Sequence, residues 1–208
     1  DRYYQFVQHK NRFHNFRIFF KFYLQKAYKI ALCVEGKQFS SEELAKKLEC
    51  DIVTTHIGVV PSDETHPRYR VMQEACFELS QYADKLGAHF AIETGPETAK
   101  TLRGFLDSLN SKGVAVNLDP ANLVMVTGDD PVGAVHNLKD YIVHTHAKDG
   151  VRHYYRAPEE IYRLVESKML AAPSFTEVPL GTGSVDFPAY LKALDDIGYH
   201  GFLTIERE

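Results

Sequence analysis

The chain lacks several features that would place it in other classes of protein. It has only three cysteines, Cys33, Cys50 and Cys76, whose odd number and wide spacing fit neither a disulfide framework nor a thiolate metal site. This favours reduced thiols and a cytoplasmic protein. No apolar run reaches the roughly 18 residues of a transmembrane helix. The apolar stretch Ile18–Leu24 is short and is interrupted by Lys21, so no signal peptide is predicted.

Features that bind nucleotides or nucleic acids are also missing. No apparent strand is followed by the glycine spacing of a Rossmann or Walker phosphate loop. The net charge is −4, but residues 1–26 hold six Lys or Arg and a single acid, so the remaining chain carries −9. An acidic main domain argues against a nucleic-acid partner.

The pattern that is present is a series of apolar runs separated by helix-like segments. The six runs are Tyr28–Val34, Asp51–Val60, Ala88–Glu93, Gly113–Asp119, Tyr141–His146 and Gly201–Glu206. Buried parallel strands have this continuous apolar character, and their alternation with helices predicts an α/β fold. Eight such units close a (β/α)8 TIM-type barrel of about 250 residues. With 208 residues, the barrel is expected to be truncated or incomplete at the N-terminus and after the last strand.

Capping signals locate the helices between these strands. A capping box is predicted at Ser40, because Glu43 follows three residues later. Further helices are predicted over residues 68–86, 96–110 and 157–169, from Pro131 with Asp130 as its cap, and from Asp186 to Ile197. Gly87 is expected to end the first of these, since glycine readily adopts the left-handed conformation of a helix terminus.

Four of the apolar runs end in residues that bind divalent metals: Glu93, Asp119, His146 and Glu206. Side chains at the carboxyl ends of barrel strands converge on one face, where active sites lie. Two Glu, one Asp and one His form an oxygen and nitrogen ligand set, which suits one Mn²⁺, Mg²⁺, Co²⁺ or Zn²⁺ ion. Each residue alone has a structural alternative, such as an ion pair or an Asx turn. Glu208 shares the parity of Glu206 and is a rival ligand.

Residues 1–27 differ from the rest of the chain. Nine of the first 26 residues are Phe or Tyr. Aromatic residues recur at helical spacing at Phe13, Phe16, Phe20 and Tyr23. This pattern favours a basic aromatic helix that packs on the barrel, or a poorly ordered tail. The alternatives are contact with a membrane, a protein partner or nucleic acid. We treat residues 1–27 as an atypical segment that does not supply missing strands, and residues 28–208 as the barrel domain.

Six short motifs lie at or near the ends of the predicted strands. They are Thr55–Gly58, Ile92–Gly95, Leu118–Leu123, His144–Asp149, Val178–Asp186 and Leu203–Glu206. Their order and spacing over residues 51–208 resemble the xylose isomerase-like TIM barrel superfamily, especially its sugar phosphate isomerase/epimerase group. The resemblance implies an enzyme with one divalent metal ion and a small carbohydrate substrate. Neither a membrane partner nor a nucleic-acid partner is expected. An open sheet edge would favour a homo-oligomer.

The resemblance also assigns roles to individual residues. The metal ligands would be Glu93, Asp119, His146 and Glu206. Glu93 and Glu206 would also be catalytic, because two carboxylates can remove and return a carbon-bound proton. The substrate-binding residues would be His56, Asn122, His144, Lys148 and Glu177.

Some of these assignments have competing interpretations in the sequence. His144 shares the parity of His146, but it suits a core or supporting role as well as a substrate contact. Lys148 suits a solvated loop charge as well as an anion-binding group, and Glu177 suits a solvent-facing position. The loop Gly181–Gly183 can offer its backbone N–H groups to a substrate or form a plain turn.

The implied reaction is metal-dependent isomerisation or epimerisation of a sugar, sugar phosphate or related polyol through an enediolate. An inosose-type dehydratase uses the same parts and is the nearest alternative. A nuclease resembling the apurinic/apyrimidinic endonucleases is a weaker one, because Asn122 stands where many family members have a second histidine. A non-catalytic, truncated barrel is the alternative from a different class.

Overall fold

The computed structural model describes residues 19–23, 32–34, 37–165 and 172–207. Its strands are β1 (Phe19–Tyr23), β2 (Leu32–Val34), β3 (Lys37–Phe39), β4 (Ile52–His56), β5 (His89–Glu93), β6 (Val114–Leu118), β7 (Ile142–Ala147), β8 (Asp149–Arg152), β9 (Phe175–Val178) and β10 (Leu203–Ile205). Its helices are α1 (Ser41–Lys47), α2 (Pro67–Leu86), α3 (Ala99–Leu109), α4 (Pro120–Asn122), α5 (Pro131–Leu138), α6 (Pro158–Ile161) and α7 (Phe187–Asp196). A π-helical turn, Leu123–Thr127, continues α4.

Six strands form one parallel sheet in the order β1-β4-β5-β6-β7-β10. Thr54 pairs with Ala91, and Ala91 pairs with Ala115, so consecutive strands lie side by side in chain order. A sheet that adds each new parallel strand beside the last, with helices in the connections, is the pattern of a (β/α) barrel. The predicted fold class is confirmed as a curled parallel sheet that forms part of a TIM barrel.

The N-terminal segment differs from the prediction. Phe19–Tyr23 forms β1, which pairs in parallel with β4, and is not part of an aromatic helix. Aromatic residues suit a strand as well as a helix, and pairing with the exposed edge of β4 decides between them. The hypothesis that residues 1–27 supply no strand is therefore wrong for this stretch. Positions 1–18 and 24–27 lie outside the described residues.

The first predicted barrel strand is also placed differently. Within Tyr28–Val34 the structure describes Leu32–Val34, and this strand pairs antiparallel with β3 instead of joining the large sheet. Only two positions separate β2 from β3 in the sequence, which is the spacing of a tight hairpin. The local pairing explains why this apolar run does not become a barrel strand. Positions 28–31 lie outside the described part of the chain.

The predicted helix caps are confirmed. The Ser40 hydroxyl accepts from the Glu43 backbone N–H, and the Glu43 carboxylate accepts from the Ser40 backbone N–H, forming a capping box. Gly87 ends α2 in the left-handed conformation, with φ of 59°. Asp130 and Asp186 cap α5 and α7 through their side chains. These caps fix where α1, α5 and α7 begin and where α2 ends.

The hydrophobic core lies between the sheet and its helices. Its largest fully buried side chains include Tyr190, Phe105, Ile92, Leu102 and Leu106. Across the described ranges, no helix is both long enough and apolar enough to cross a bilayer.

Two elements near the carboxyl end of the sheet were not predicted. The antiparallel pair β8–β9 and the π-helical turn pack against each other, after the strands that carry the predicted ligands. A helix was predicted over residues 157–169, but α6 covers only Pro158–Ile161 and is therefore much shorter than predicted. Positions 166–171 lie beyond what the structure describes.

Candidate metal centre

The four side chains predicted as metal ligands meet at the carboxyl end of the sheet. Glu93 ends β5, Asp119 follows β6, His146 lies in β7 and Glu206 follows β10. Each offers one oxygen or nitrogen atom, and these atoms all lie within 4.8 Å of one another. Because their strands are successive neighbours, the four carboxyl ends deliver these side chains to one point.

This arrangement fits one small divalent ion. Ligand atoms that each lie about 2.0–2.3 Å from a metal are separated by at most about twice that distance. Asp119 is fully buried, and His146 and Glu93 are only 4% and 6% exposed. Three carboxylates in such a shielded site repel one another, so the site requires positive charge. The donor set contains no thiolate and matches the preferences of Mn²⁺, Mg²⁺ or Zn²⁺.

His146 supplies part of that positive charge. Its Nδ1 lies 3.1 Å from Glu206 Oε2 and 3.2 Å from Asp119 Oδ2. Burial is the largest influence on its pKa and lowers it, but the bonds to Asp119 and Glu206 and the charge of Glu93 outweigh burial. Together they raise the pKa of His146 to about 10. The nitrogen that would face a metal therefore faces the carboxylates, and a proton there competes with a cation.

Lys148 supplies the second positive charge. Its Nζ lies 3.0 Å from Glu177 Oε1, 3.3 Å from Glu206 Oε2 and 3.6 Å from Asp119 Oδ2. Burial acts most strongly on its pKa and lowers it, but the charges of Asp119, Glu206 and Glu177 reverse that effect and raise the pKa above its ordinary value. Lys148 is only 4% exposed, so it is not the solvated loop residue that the sequence also allowed.

Glu93 is held by two other predicted site residues. His56, at the end of β4, places its Nε2 3.0 Å from Glu93 Oε2. The side-chain amide of Asn122 donates to Glu93 Oε1 at 3.1 Å and to the Thr94 carbonyl at 3.3 Å. Both carboxylate oxygens of Glu93 thus have neighbours that fix its orientation.

Asp119 combines the two roles that the sequence left open. Its Oδ1 accepts from the Asn122 backbone N–H at 2.9 Å, which caps the short helix α4. Its Oδ2 faces His146 and Lys148. The Asx cap therefore orients the carboxylate so that the other oxygen remains directed into the site.

His144 lies behind His146 in the core. It is fully buried, and its Nε2 lies 3.1 Å from Thr204 Oγ1. The two histidine rings meet edge to face, with their centres 5.7 Å apart. These contacts suit a residue that supports His146, and direct substrate contact by His144 stays a prediction.

The glycine loop has a structural partner. The backbone N–H groups of Gly181 and Gly183 both donate to Asp149 Oδ2 at 2.9 Å. Gly150 and Val185 donate to Asp149 Oδ1. Because both N–H groups are committed to Asp149, the structure favours the plain turn over the alternative in which the amides of Gly181 and Gly183 reach a substrate.

Sequence reasoning missed three polar residues near the centre. Asn117, on β6, contacts His146 Nε2 through its side chain at 3.2 Å. Its shared parity with Asp119 was a usable signal. Glu97 is 6% exposed, and burial raises its pKa to about 8, although the Val60 N–H that donates to it acts the other way. Burial, followed by the charge of Glu97, raises the pKa of Tyr162. No periodic pattern marked Glu97 or Tyr162.

Comparison with known proteins identifies a family that agrees with the fold and the site. A family model described as xylose isomerase-like TIM barrel matches residues 41–208. The inosose dehydratase of Clostridium perfringens (strain 13 / Type A) is 26% identical over 152 residues, covering 68% of this chain and 50% of that protein. The chain thus spans about half the length of this curated relative.

Solved structures agree with the fold. A xylose isomerase domain protein from Planctomyces limnophilus has a TM-score of 0.66 and 31% sequence identity to this chain. The match covers 80% of this chain and 55% of the Planctomyces chain. A D-tagatose 3-epimerase-like protein has a TM-score of 0.56 and 23% sequence identity to this chain. The match covers 78% of this chain and 58% of the epimerase-like chain, and it shows that the two share a fold.

The fold and the site define a (β/α)-barrel protein with a carboxylate and histidine centre at the ends of its strands. The chain belongs to the xylose isomerase-like TIM barrel family. The resemblance found in the strand-end motifs is confirmed.

Proposed function

We propose that this chain acts as a metal-dependent isomerase or epimerase on a sugar, sugar phosphate or related polyol, through an enediolate. The observation that carries the proposal is the convergence of Glu93, Asp119, His146 and Glu206, whose ligand atoms lie within 4.8 Å of one another. These four residues would hold one divalent ion. When bound, the ion would polarise a substrate carbonyl and stabilise negative charge on its oxygen.

Glu93 and Glu206 are proposed as the groups that move protons. They approach the centre from β5 and β10, which are separated in the sheet by β6 and β7. Glu93 is restrained on both oxygens, so it suits the removal of a carbon-bound proton in a fixed geometry. Glu206 is more open, with its side chain 27% exposed, and it would return a proton to the neighbouring carbon.

The other polar residues are proposed to bind the substrate hydroxyl groups. His56 and Asn122 border Glu93, while Lys148 and Glu177 border Glu206. The Lys148 ammonium already lies between Glu177 and Glu206, so its charge is balanced within the site. This favours hydroxyl groups over a phosphate at this position, since an added anion would meet the two carboxylates.

An inosose-type dehydratase is the second candidate, favoured by the inosose dehydratase relative at 26% identity. It shares the first step, in which a carboxylate removes a proton next to a carbonyl. The reaction then expels a hydroxyl group as water instead of returning the proton to carbon. Lys148, 3.3 Å from Glu206, is proposed as the group that would assist the departing hydroxyl.

A deuterium-exchange experiment separates these reactions. The protein is supplied with Mn²⁺ in D₂O and incubated with neutral ketoses and with an inosose, and the products are followed by NMR. Isomerisation or epimerisation places deuterium on carbon in an interconverted sugar, whereas dehydration gives a product that has lost water.

Matched variants link that reaction to the site. Glu93→Gln and Glu206→Gln should each lower the rate about 10²- to 10⁴-fold, the usual contribution of a positioned acid or base. Glu74→Gln is the control, because Glu74 is exposed and pairs with Arg70 on the surface of α2. Equal rates in Glu93→Gln and the parent would refute the proposed role of Glu93. Metal binding without turnover of any ketose or inosose would favour a non-catalytic barrel.

A further inference from the structure

A buried amide contacts the far side of the proposed ligand His146. Asn117 is fully buried, and its Nδ2 lies 3.2 Å from His146 Nε2. Its Oδ1 is also buried and has no hydrogen-bond partner among the described residues. Buried amide oxygens are rarely left in this state, so the orientation of this amide requires an explanation.

The explanation lies in which nitrogen of His146 faces the centre. Nδ1 lies 3.1 Å from Glu206 Oε2 and 3.2 Å from Asp119 Oδ2, so Nδ1 is the nitrogen directed at the proposed metal position. A neutral imidazole that gives Nδ1 to a metal carries its proton on Nε2. That Nε2–H needs an acceptor, and the Nδ2 group of Asn117 is itself a donor.

The amide of Asn117 can meet this need by turning over. Rotation about its terminal bond exchanges the oxygen and nitrogen at nearly the same positions. Within the described part of the chain, Oδ1 has no hydrogen bond to lose in that rotation. The orientation in the structure suits a neutral ring with its proton on Nδ1, because Nε2 can then accept from Asn117. A protonated ring, like a ring that gives Nδ1 to a metal, carries an Nε2–H and requires the rotated amide.

We propose that Asn117 is a positioning residue, whose side-chain oxygen accepts from His146 Nε2–H when a divalent ion is bound and so directs Nδ1 at the ion. The inference rests on the proposed metal centre and adds the residue that selects the tautomer of its histidine. Second-layer acceptors of this kind orient metal-bound histidines in many proteins, and their loss typically costs 10- to 100-fold in affinity.

Calorimetric titration with Mn²⁺ tests the proposal. Asn117→Leu removes the acceptor at similar volume and should weaken Mn²⁺ binding about 10- to 100-fold. Asn117→Asp restores an acceptor and should bind Mn²⁺ at least ten times more tightly than Asn117→Leu. Val116→Ala is the control for destabilised packing, because Val116 is the neighbouring residue on β6 and lies in the apolar core. It should leave the affinity unchanged.

Nitrogen NMR of the His146 ring gives a readout that a purely structural role would not change. In the Zn²⁺-loaded parent, Nε2 should carry the proton and Nδ1 should not. A Zn²⁺-loaded parent with the proton on Nδ1 would overturn the proposal, even if Asn117→Leu fails to fold.

The possible failures are distinguishable. If the parent binds no Mn²⁺, the proposed metal centre fails and the inference fails with it. If the parent binds Mn²⁺ and folded Asn117→Leu binds it equally well, the metal centre stands and the role of Asn117 is refuted.

Discussion

Replacement of Asp149 should destabilise the fold far more than replacement of an exposed aspartate. The carboxylate is 1% exposed and accepts four backbone N–H bonds, from Gly150, Gly181, Gly183 and Val185, at 2.9 to 3.1 Å. Hydrogen bonds to charged groups contribute roughly 1.5–3 kcal/mol each, but four that share one carboxylate do not add. Removing the acceptor leaves four donors unpaired, of which those of Gly150 and Val185 are buried, so Asp149→Ala should cost about 3–5 kcal/mol.

Asp149→Asn refines this expectation. An amide keeps one oxygen for two of the donors but turns its NH₂ group towards the other two, so about half of the loss, ~2 kcal/mol, is expected. Urea unfolding followed by circular dichroism measures both variants. Asp195→Asn is the control, because Asp195 is exposed on α7 and should change stability by less than about 0.5 kcal/mol. An Asp149→Ala variant within 1 kcal/mol of this control would refute the reasoning.

Two further predictions concern pH and packing. In protein stripped of metal with EDTA, the pKa of His146 is about 10 in the folded state against an ordinary value of 6.5. The protonated ring therefore stabilises the fold fully below pH 6.5, and this stabilisation is lost as the pH rises towards 10. Urea unfolding should show a slope of at most about 1.4 kcal/mol per pH unit, and His146→Gln should flatten it. Gly113→Ala would press a methyl group against the Ser80 carbonyl and should cost about 1–3 kcal/mol in thermal unfolding. Gly104→Ala meets open space inside α3 and should stabilise by up to about 1 kcal/mol; equal effects of the two would contradict this account.

The part of the molecule that the sequence predicted well is the series β4 to β7 with β10. In the sequence each of these strands lies in a run of apolar or β-branched residues, which is the pattern of a buried parallel strand. In the structure β10 departs from that pattern, because Leu203 is 41% and Ile205 is 73% exposed. Since parallel neighbours align their carboxyl ends, the sequence alone places Glu93, Asp119, His146 and Glu206 at one edge of the sheet.

The N-terminal strands could not be predicted in the same way. The aromatic residues of Phe19–Tyr23 suit both a helix and a strand, and only pairing with β4 selects the strand. The apolar run ending at Val34 suits both a barrel strand and a hairpin, and pairing with β3 selects the hairpin. Whether such a segment forms a helix, a barrel strand or a hairpin strand depends on the strand with which it pairs, and that strand lies outside the segment.

The contacts of the charged residues near the site could not be predicted from the sequence either. In the sequence Lys148 suits a solvated loop position. In the structure its ammonium is buried against the carboxylate of Glu177, which lies on β9. Asp149 ends one of the strand-end motifs in the sequence, and its structural role follows from a loop more than thirty positions later. A local pattern carries no information about such partners, so the sequence predicted the convergence of the four proposed ligands better than the residues that orient them.

The central claim is that four strand ends form one metal site, and metal content per chain tests it most directly. Purified protein, supplied with Mn²⁺ or Zn²⁺ and freed of excess ion, is compared by plasma mass spectrometry with Asp119→Ala treated identically. The account predicts one divalent ion per chain in the parent and loss of that ion in the folded variant. A parent without bound metal, or a variant that retains it fully, would contradict the account.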